Sequence, residues 1–272
     1  MKSLGKIAVL ALTMGIVVSF QSCQKDEGLK KPTTEAELKA QGTNTFYGPT
    51  VPFMGGTARA WVKVNGNGNG DPTAVGIDVS EKVLENLSDD QIRVVLNMPN
   101  NKGGNFYTHM MVDWNPMGHL PIYGAPHFDF HFYLVPESLR LQIEEDDLEE
   151  FENIPEAIYQ PPLYFKVPGG VPEMGAHWLD LLSPEVAGTG EFTQTYIWGS
   201  FDGDFIFFEP MITSAYLLQH PDVTFEVRQP EAYEVDGWYP THYSIKYSTS
   251  PGKYTISLDN LVFHEGQESN NM

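Results

Sequence analysis

The stretch HFDFHFYL, residues 127–134, alternates strictly between polar and apolar side chains. His127, Asp129, His131 and Tyr133 share one parity, and three phenylalanines and a leucine share the other. Because successive side chains of a β-strand point to opposite faces, this pattern predicts a strand with one polar face and one apolar face. The apolar face must be buried, so we expect this strand to lie in a sheet of a packed β-domain.

Hairpin signals recur along the rest of the chain. Residues 57–64 and 73–79 flank an Asn/Gly-rich turn, and residues 192–200 and 204–213 flank Phe201-Asp202-Gly203. Both patterns predict β-hairpins. The 25 glycines and 20 prolines favour short strands and turns over long helices. The sequence shows no repeat of fixed period, so it does not favour a propeller or a solenoid. The sequence therefore predicts a mainly β fold, an antiparallel sandwich or barrel with a few short helices.

The expected elements beyond the hairpins are short. Helices are expected over residues 80–87, 136–151 and 214–219, the second because of a partial apolar stripe. Irregular backbone is expected over residues 155–172. The remaining expected strands are residues 91–98, 106–114, 223–228, 242–248 and 253–262.

The beginning of the chain resembles a bacterial export signal. Lys2 and Lys6 provide a positive start, and an apolar segment too short to span a bilayer comfortably follows over residues 7–20. Cys23 comes directly afterwards, in a context that resembles a lipobox. We predict a lipoprotein signal peptide over residues 1–22 and a membrane anchor through lipidation of Cys23. The alternative is an ordinary secretory signal with a chance cysteine.

The segment behind the leader is polar. Lys25-Asp26-Glu27 resembles the signal that sends some Gram-negative lipoproteins to the outer face of the outer membrane, so we expect an outer-membrane lipoprotein exposed at the cell surface. Residues 23–45 are expected to form a flexible tether, and residues 46–265 a single β-rich domain. The single cysteine excludes an internal disulfide and a thiolate metal site in that domain.

The net charge of the chain is −20. A chain this acidic lacks the basic stripe that binds phosphates, so nucleic acid is not expected as a partner. The charge is expected to keep an exported protein soluble, or to attract cations.

The polar face of the alternating strand offers metal ligands. Same-face neighbours lie about 6.7 Å apart at Cα, so His127 with Asp129, or Asp129 with His131, can reach one ion together. His127 and His131 are twice as far apart, and they share an ion only if the strand bends or the ion lies over Asp129. A neighbouring pair plus a ligand from another element is therefore the better expectation.

Residues elsewhere in the chain are candidates for the remaining ligands. Glu209 lies in an apolar strand context, where a carboxylate is costly unless it is paired, hydrogen-bonded or bound to metal. His177 and His119 each follow a loop rich in Pro or Gly. The full candidate set is His119, His127, Asp129, His131, His177 and Glu209. Such a set suits zinc or non-haem iron as the cofactor, whereas calcium prefers oxygen ligands alone.

The sequence does not indicate a reaction. It has no Gly-x-Ser-x-Gly elbow, phosphate loop or dinucleotide fingerprint. A metal-dependent hydrolase or oxygenase, with Asp129 or Glu209 as base, is one interpretation. A non-catalytic structural module with packed histidines is another. A third is carbohydrate binding through tryptophans, which are Trp61, Trp114, Trp178, Trp198 and Trp238.

Several motifs together resemble a domain family of unknown function in bacterial exported proteins and lipoproteins. The motifs are Asp113-Trp114-Asn115-Pro116, Gly118-His119, the strand over residues 127–133, Met174-Gly175 with His177-Trp178, Glu209-Pro210-Met211 and Gly237-Trp238-Tyr239-Pro240. The resemblance covers residues 46–263. It implies a self-contained, mainly β domain that can assemble into symmetric homo-oligomers, with the polar motif residues as a site. It supplies no activity, and no small-molecule or glycan ligand.

Overall fold

The computed structural model describes residues 43–66, 70–100, 106–119 and 122–267. The predicted leader, Cys23 and nearly all of the predicted tether lie outside the described residues, and they stay predictions. None of the helices in the described ranges is long and apolar enough to cross a membrane.

Two antiparallel seven-stranded sheets form a β-sandwich, which confirms the predicted mainly β fold. The strands of the first sheet are β1 (Thr43–Tyr47), β2 (Val51–Phe53), β3 (Gly56–Asn65), β4 (Pro72–Ser80), β12 (Asp222–Glu226), β13 (Gly237–Ser248) and β14 (Lys253–His264). Their order is β1-β3-β4-β14-β13-β12, and β2 pairs with β3. The predicted hairpin of β3 and β4 is confirmed.

The second sheet carries the alternating strand near its centre. Its strands are β5 (Ile92–Asn97), β6 (His109–Asn115), β7 (His127–Tyr133), β8 (Tyr164–Lys166), β9 (Ala176–Asp180), β10 (Gln194–Phe201) and β11 (Asp204–Thr213). Their order is β5-β6-β7-β11-β10-β9-β8, so β7 lies between β6 and β11. The predicted hairpin of β10 and β11 is confirmed.

The core lies between the facing sides of the two sheets. Phe128, Phe130 and Phe132 of β7 belong to one buried cluster with Ile77 of β4 and Ile256 of β14. The apolar parity of β7 therefore faces the first sheet, as the alternation predicts. Burial of such large side chains stabilises the sandwich by about 1.5–3 kcal/mol for each one.

The polar parity of β7 is also buried, because loops cover the outer face of the second sheet. Ile143, Phe151 and Met174 pack on one part of this face, and Tyr123 and Phe192 pack on another. Polar side chains on the outer face are thus shielded from water, so interactions between their charges are stronger than at an open surface.

Helices are few and short in the described part of the chain. They are α1 (Lys82–Glu85), α2 (Glu137–Arg140), α3 (Leu148–Glu152), α4 (Pro184–Ala187) and α5 (Ser214–Leu217), with a 3₁₀ turn at Ala157–Tyr159. The helices predicted over residues 80–87 and 214–219 are present but shorter.

The continuous helix predicted over residues 136–151 is wrong. The helix ends at Arg140 and a separate helix begins at Leu148. Between them, the Asp147 carboxylate accepts the backbone N–H of Glu144 at 2.8 Å, so a side chain has replaced a helical carbonyl as the acceptor. The irregular backbone predicted over residues 155–172 is also wrong at Tyr164–Lys166, which forms the short edge strand β8.

Candidate metal centre

The strand register places the candidate ligands side by side on the outer face of the second sheet. Asp113 of β6 pairs with Asp129 of β7. Met211 of β11 also pairs with Asp129 on the other side of β7. Glu209, two residues before Met211, therefore lies opposite His131. Backbone hydrogen bonds between three neighbouring strands hold these positions, which makes a rigid scaffold.

The first group of candidate ligands is His119, His127 and Asp129. The Nε2 atoms of the two histidines are 3.0 Å apart. Nε2 of His127 is 3.1 Å from Oδ1 of Asp129, and Nε2 of His119 is 3.4 Å from Oδ2. His119 comes from the loop after β6, and its side chain is 42% exposed, whereas His127 is fully buried. Three ligand atoms thus converge beside the cavity described below.

Neighbouring residues fix the orientation of this first group. The carbonyl oxygen of Ala125 is 2.7 Å from Nδ1 of His127. Since a carbonyl only accepts, Nδ1 carries the hydrogen, and Nε2 of the neutral ring presents its lone pair to the group. Asn115 donates to Oδ2 of Asp129 at 2.7 Å. Metal-binding histidines and carboxylates are commonly held by outer hydrogen bonds of this kind.

The second group is His131, His177 and Glu209. Nε2 of His131 is 3.5 Å from Oε1 of Glu209, and Nε2 of His177 is 3.4 Å from Oε2. In each of the two groups, the ligand atoms all lie within 4.8 Å of one another. The second group joins strands β7, β9 and β11, which agrees with a ligand set drawn from several elements.

Buried atoms of the second group lack hydrogen-bond partners among the described residues. Both ring nitrogens of His131 and Oε2 of Glu209 are in this state. Both side chains are at most 1% exposed. A buried polar atom without a partner costs about 1–3 kcal/mol, and more if it is charged. A cation between the two imidazoles and the carboxylate would offset this cost.

The ion pair of Arg93 and Asp113 lies next to the second group, on the Nδ1 side of His131. Nδ1 of His131 is 3.5 Å from Oδ2 of Asp113, a close contact rather than a good hydrogen bond. Arg93 donates through Nε to Oδ1 of Asp113 at 2.6 Å. A carboxylate on the far nitrogen of a histidine is the usual outer partner of a metal ligand. The position of Asp113 therefore leaves Nε2 of His131 free to face Glu209.

The two groups differ in electrostatics. Burial raises the pKa of Glu209 well above its usual range and lowers the pKa of His131 well below its own. Burial also lowers the pKa of His177 to about 4. These histidines are therefore neutral, which is the form that binds a metal. No Lys or Arg of the described ranges pairs with Glu209, and a bound cation would favour its ionised form.

The first group can neutralise its own charge. Burial acts to raise the pKa of Asp129, but hydrogen bonds from His119 and His127 outweigh burial and lower it. For His127, the loss of solvation acts to lower the pKa, and the contact with Asp129 outweighs it and raises the pKa. Without a metal, the contacts within this group therefore favour an ionised Asp129 and the protonated form of His127. The second group has no such pairing, so it is the stronger candidate for a required ion.

A cavity of about 550 Å³ adjoins both groups. Its lining includes His119 and Asp129 from the first group and His177 from the second. Val167 and Leu179 are among its apolar residues. This volume lies in the range of small-molecule sites in proteins. A ligand in the cavity can therefore reach members of both groups.

The structure distributes the six sequence-predicted ligands over these two groups of three. The first group combines a neighbouring pair of β7 residues with a ligand from another segment, as the strand spacing predicts. The second group differs from this expectation, because His131 is its only residue from β7. Asn115 and Arg93 belong to the surroundings of the site. The sequence analysis named Asn115 only within the family motif and did not name Arg93. The alternation along β6, which places Asp113 and Asn115 on the same face, was the sequence signal that could have identified Asn115. Arg93 could be found only through its cross-strand pairing with Asp113.

The tryptophans do not form an exposed platform. Four of them are buried, namely Trp61, Trp114, Trp178 and Trp198. Trp238 is half-buried. Among the described residues, the tryptophans therefore offer no exposed surface on which a sugar could stack against several of them.

Comparison with known proteins identifies no relative, since no family model, no curated protein and no solved structure matches this chain. The functional assignment therefore depends on the geometry of the two groups.

Proposed function

We propose that this protein is a metal-binding β-sandwich that holds zinc or iron at His131, His177 and Glu209. Two observations carry this proposal. One ligand atom from each of the three residues lies within 4.8 Å of the other two. Both ring nitrogens of His131 and Oε2 of Glu209 are buried without a hydrogen-bond partner among the described residues. Two imidazoles and one carboxylate form a ligand set typical of zinc and of non-haem iron. The nitrogen ligands argue against calcium.

The packing around the second group supports a preformed site. The ring of Phe207 lies 5.2 Å from the ring of His131 and 5.4 Å from the ring of His177, measured between centroids. Phe207 in turn lies over Gly199, where an added Cβ would come within 1.9 Å of the Phe207 ring. Both imidazoles are therefore restrained by a ring that has no room to move toward β10.

One side of the second group is accessible from the cavity. His177 lines the cavity, while His131 and Glu209 are sealed beneath it. A bound ion of this class polarises a substrate oxygen or activates a water molecule. The cavity would orient a small molecule against the His177 side. A purely structural ion would not need this opening.

Elemental analysis of the full-length protein, extracted in detergent without chelator, tests the proposal. We expect stoichiometric zinc or iron in the native protein, and its loss from the second group in His131→Ala and Glu209→Gln. His242→Ala, which lies outside both groups, is the matched control and should keep the native metal content. Full metal content in His131→Ala and Glu209→Gln would contradict the proposal.

If these variants fail to fold, a spectroscopic measurement on the native protein still tests the proposal. Cobalt(II) added to the chelator-treated native protein should give visible d–d absorption with nitrogen ligands. Zinc should displace it. A native protein that shows neither stoichiometric metal nor cobalt absorption holds no ion at this site.

We infer the cellular setting from the sequence alone. The leader and the Phe20-Gln21-Ser22-Cys23 context support a lipid-anchored outer-membrane protein, and the motifs support membership of the exported-protein family. The expected homo-oligomer depends on the same resemblance. Incorporation of labelled palmitate that is lost in Cys23→Ser tests the anchor, and light scattering of the purified protein tests the oligomer.

A further inference from the structure

We propose that His119, His127 and Asp129 hold a second divalent cation. The outer face of the second sheet then carries a two-cation centre that binds a small oxyanion-bearing molecule in the adjoining cavity. This inference depends on the proposed function, because the first cation is the one at the second group.

The first group has the geometry of a separate cation site. Its three ligand atoms converge, and the two Nε2 atoms face each other at 3.0 Å. Oδ1 of Asp129 is buried, and it lies 3.1 Å from Nε2 of His127. Asn115 donates to the other oxygen, Oδ2, of this carboxylate. A buried carboxylate and two imidazoles whose Nε2 atoms face each other are better explained by a shared cation than by packing alone.

The two groups are neighbours on one surface. His127, Asp129 and His131 are successive same-face residues of β7, so their Cα atoms are spaced by about 6.7 Å. Asp129 belongs to the first group, and His131, one position along, belongs to the second. The same cavity is lined by His119, Asp129 and His177. A single ligand in that cavity can thus contact both sites.

Charge balance identifies the class of ligand. Two divalent cations carry four positive charges, and the two groups offer one carboxylate each, from Asp129 and Glu209. Asp113 does not add to this balance, since it is already paired with Arg93. The loaded centre would therefore keep two uncompensated positive charges in a shielded site, which is costly unless anions fill it. An oxyanion reaching both cations from the cavity supplies that charge.

The cavity wall indicates what the oxyanion is attached to. Part of the wall consists of the apolar residues Val167, Val171, Leu179 and Ile197. Ligand sites of this size combine apolar walls with a few polar groups that orient the ligand. We expect a small phosphate, phosphonate or carboxylate with an apolar body, held by its oxyanion at the centre.

Metal content of the native full-length protein and of two variants tests the second cation. The native protein should hold two ions per chain, and His119→Ala should hold one. The side chain of His119 is 42% exposed, so this variant is expected to fold. His177→Ala should lose the other ion and keep the one at the first group. One ion in the native protein that is unchanged in His119→Ala would overturn the second cation and leave the proposed function intact. No ion in the native protein would overturn both.

Titration calorimetry with phenylphosphonate tests the ligand class. Saturable binding is expected to the protein loaded with two ions, with loss of binding in His119→Ala and after chelation. Benzyl alcohol, which has the aromatic body without the oxyanion, should not bind measurably. Failure of phenylphosphonate to bind the two-ion protein, or equal binding to the metal-free protein, would overturn the oxyanion assignment.

Discussion

His131 and Glu209 face each other from neighbouring strands, with Nε2 of the histidine 3.5 Å from Oε1 of the carboxylate. Both side chains are essentially inaccessible to water. Such a pair gains little as it stands, because the distance is too long for a good hydrogen bond. Both ring nitrogens of His131 and Oε2 of Glu209 also lack a hydrogen-bond partner among the described residues. Its arrangement is explained if a third component, a cation, belongs between the two.

Removal of that cation should lower the stability of the protein. An ion that binds only the folded state adds about 2.7 kcal/mol to the free energy of unfolding when its free concentration is 100 times Kd. Chelation should therefore lower the melting temperature measured by circular dichroism, and added zinc should restore it. Glu209→Gln, which lacks the ion of the second group, should show a smaller fall in melting temperature on chelation than the native protein. An unchanged melting temperature of the native protein after verified metal removal would contradict a stabilising ion.

The buried carboxylate of Asp78, on the first sheet, differs from that of Glu209 because it has several hydrogen-bond and ion-pair partners. Asp78 accepts hydrogen bonds from Trp61 Nε1 at 3.1 Å, Thr255 Oγ1 at 2.9 Å and Lys253 Nζ at 2.7 Å, and it is paired with Arg59 at 3.2 Å. It is thus fully satisfied without a metal. Asp78→Ala leaves several donors without acceptors and should lower the free energy of unfolding by roughly 3 kcal/mol.

Urea unfolding of Asp78→Ala measures this effect, and Arg59→Ala is its matched control. Arg59 is about a third exposed, so loss of its ion pair should cost no more than about 1 kcal/mol. Equal losses in the two variants would show that the surface pair, and not the buried acceptor, provides the stability.

The sequence could predict the elements whose pattern is local. The alternation over residues 127–133 identifies β7, its buried face and three of the six candidate ligands. The Asp202-Gly203 turn likewise identifies the β10–β11 hairpin. The short strand β8 carries too few residues to show a period. The break after Arg140 depends on the Asp147 side chain, which competes with the helix for a backbone N–H.

The grouping of the ligands could not be predicted, because it depends on contacts between distant segments. His177 was expected to follow a loop, without a strand being assigned to it, and it lies on the five-residue strand β9. Its imidazole reaches Glu209 of β11 although β10 lies between the two strands. His119 meets His127 only because the loop after β6 folds back, with an isolated bridge from His119 to Tyr123. Such pairings arise only when the sheet has assembled.

Substitution of Gly199 tests the restraint on the two imidazoles. An added Cβ would lie 1.9 Å from Cε1 of Phe207, so Gly199→Ala forces the ring to move. Overpacking of this kind typically costs 1–3 kcal/mol, so we expect a loss of about 2 kcal/mol in urea unfolding. Because Phe207 contacts His131 and His177, zinc affinity should fall as well. Phe207→Leu in the Gly199→Ala background should recover part of both losses, and strict additivity of the two substitutions would exclude this contact as the cause.

A pH dependence is expected from Glu234, far from the candidate ligands in sequence. Burial, with the hydrogen bond and like charge of Asp204, raises the pKa of Glu234 to about 7. The unfolded chain has the ordinary glutamate pKa of about 4.3, so the folded protein holds this proton more tightly. The stabilising contribution is therefore complete below about pH 4 and disappears as the pH rises through about 7. Urea midpoints of the native protein should fall between pH 5 and pH 8 by more than those of Glu234→Gln, which has no proton to lose. Parallel pH profiles for the two proteins would mean that the Glu234–Asp204 pair does not share a proton in the folded state.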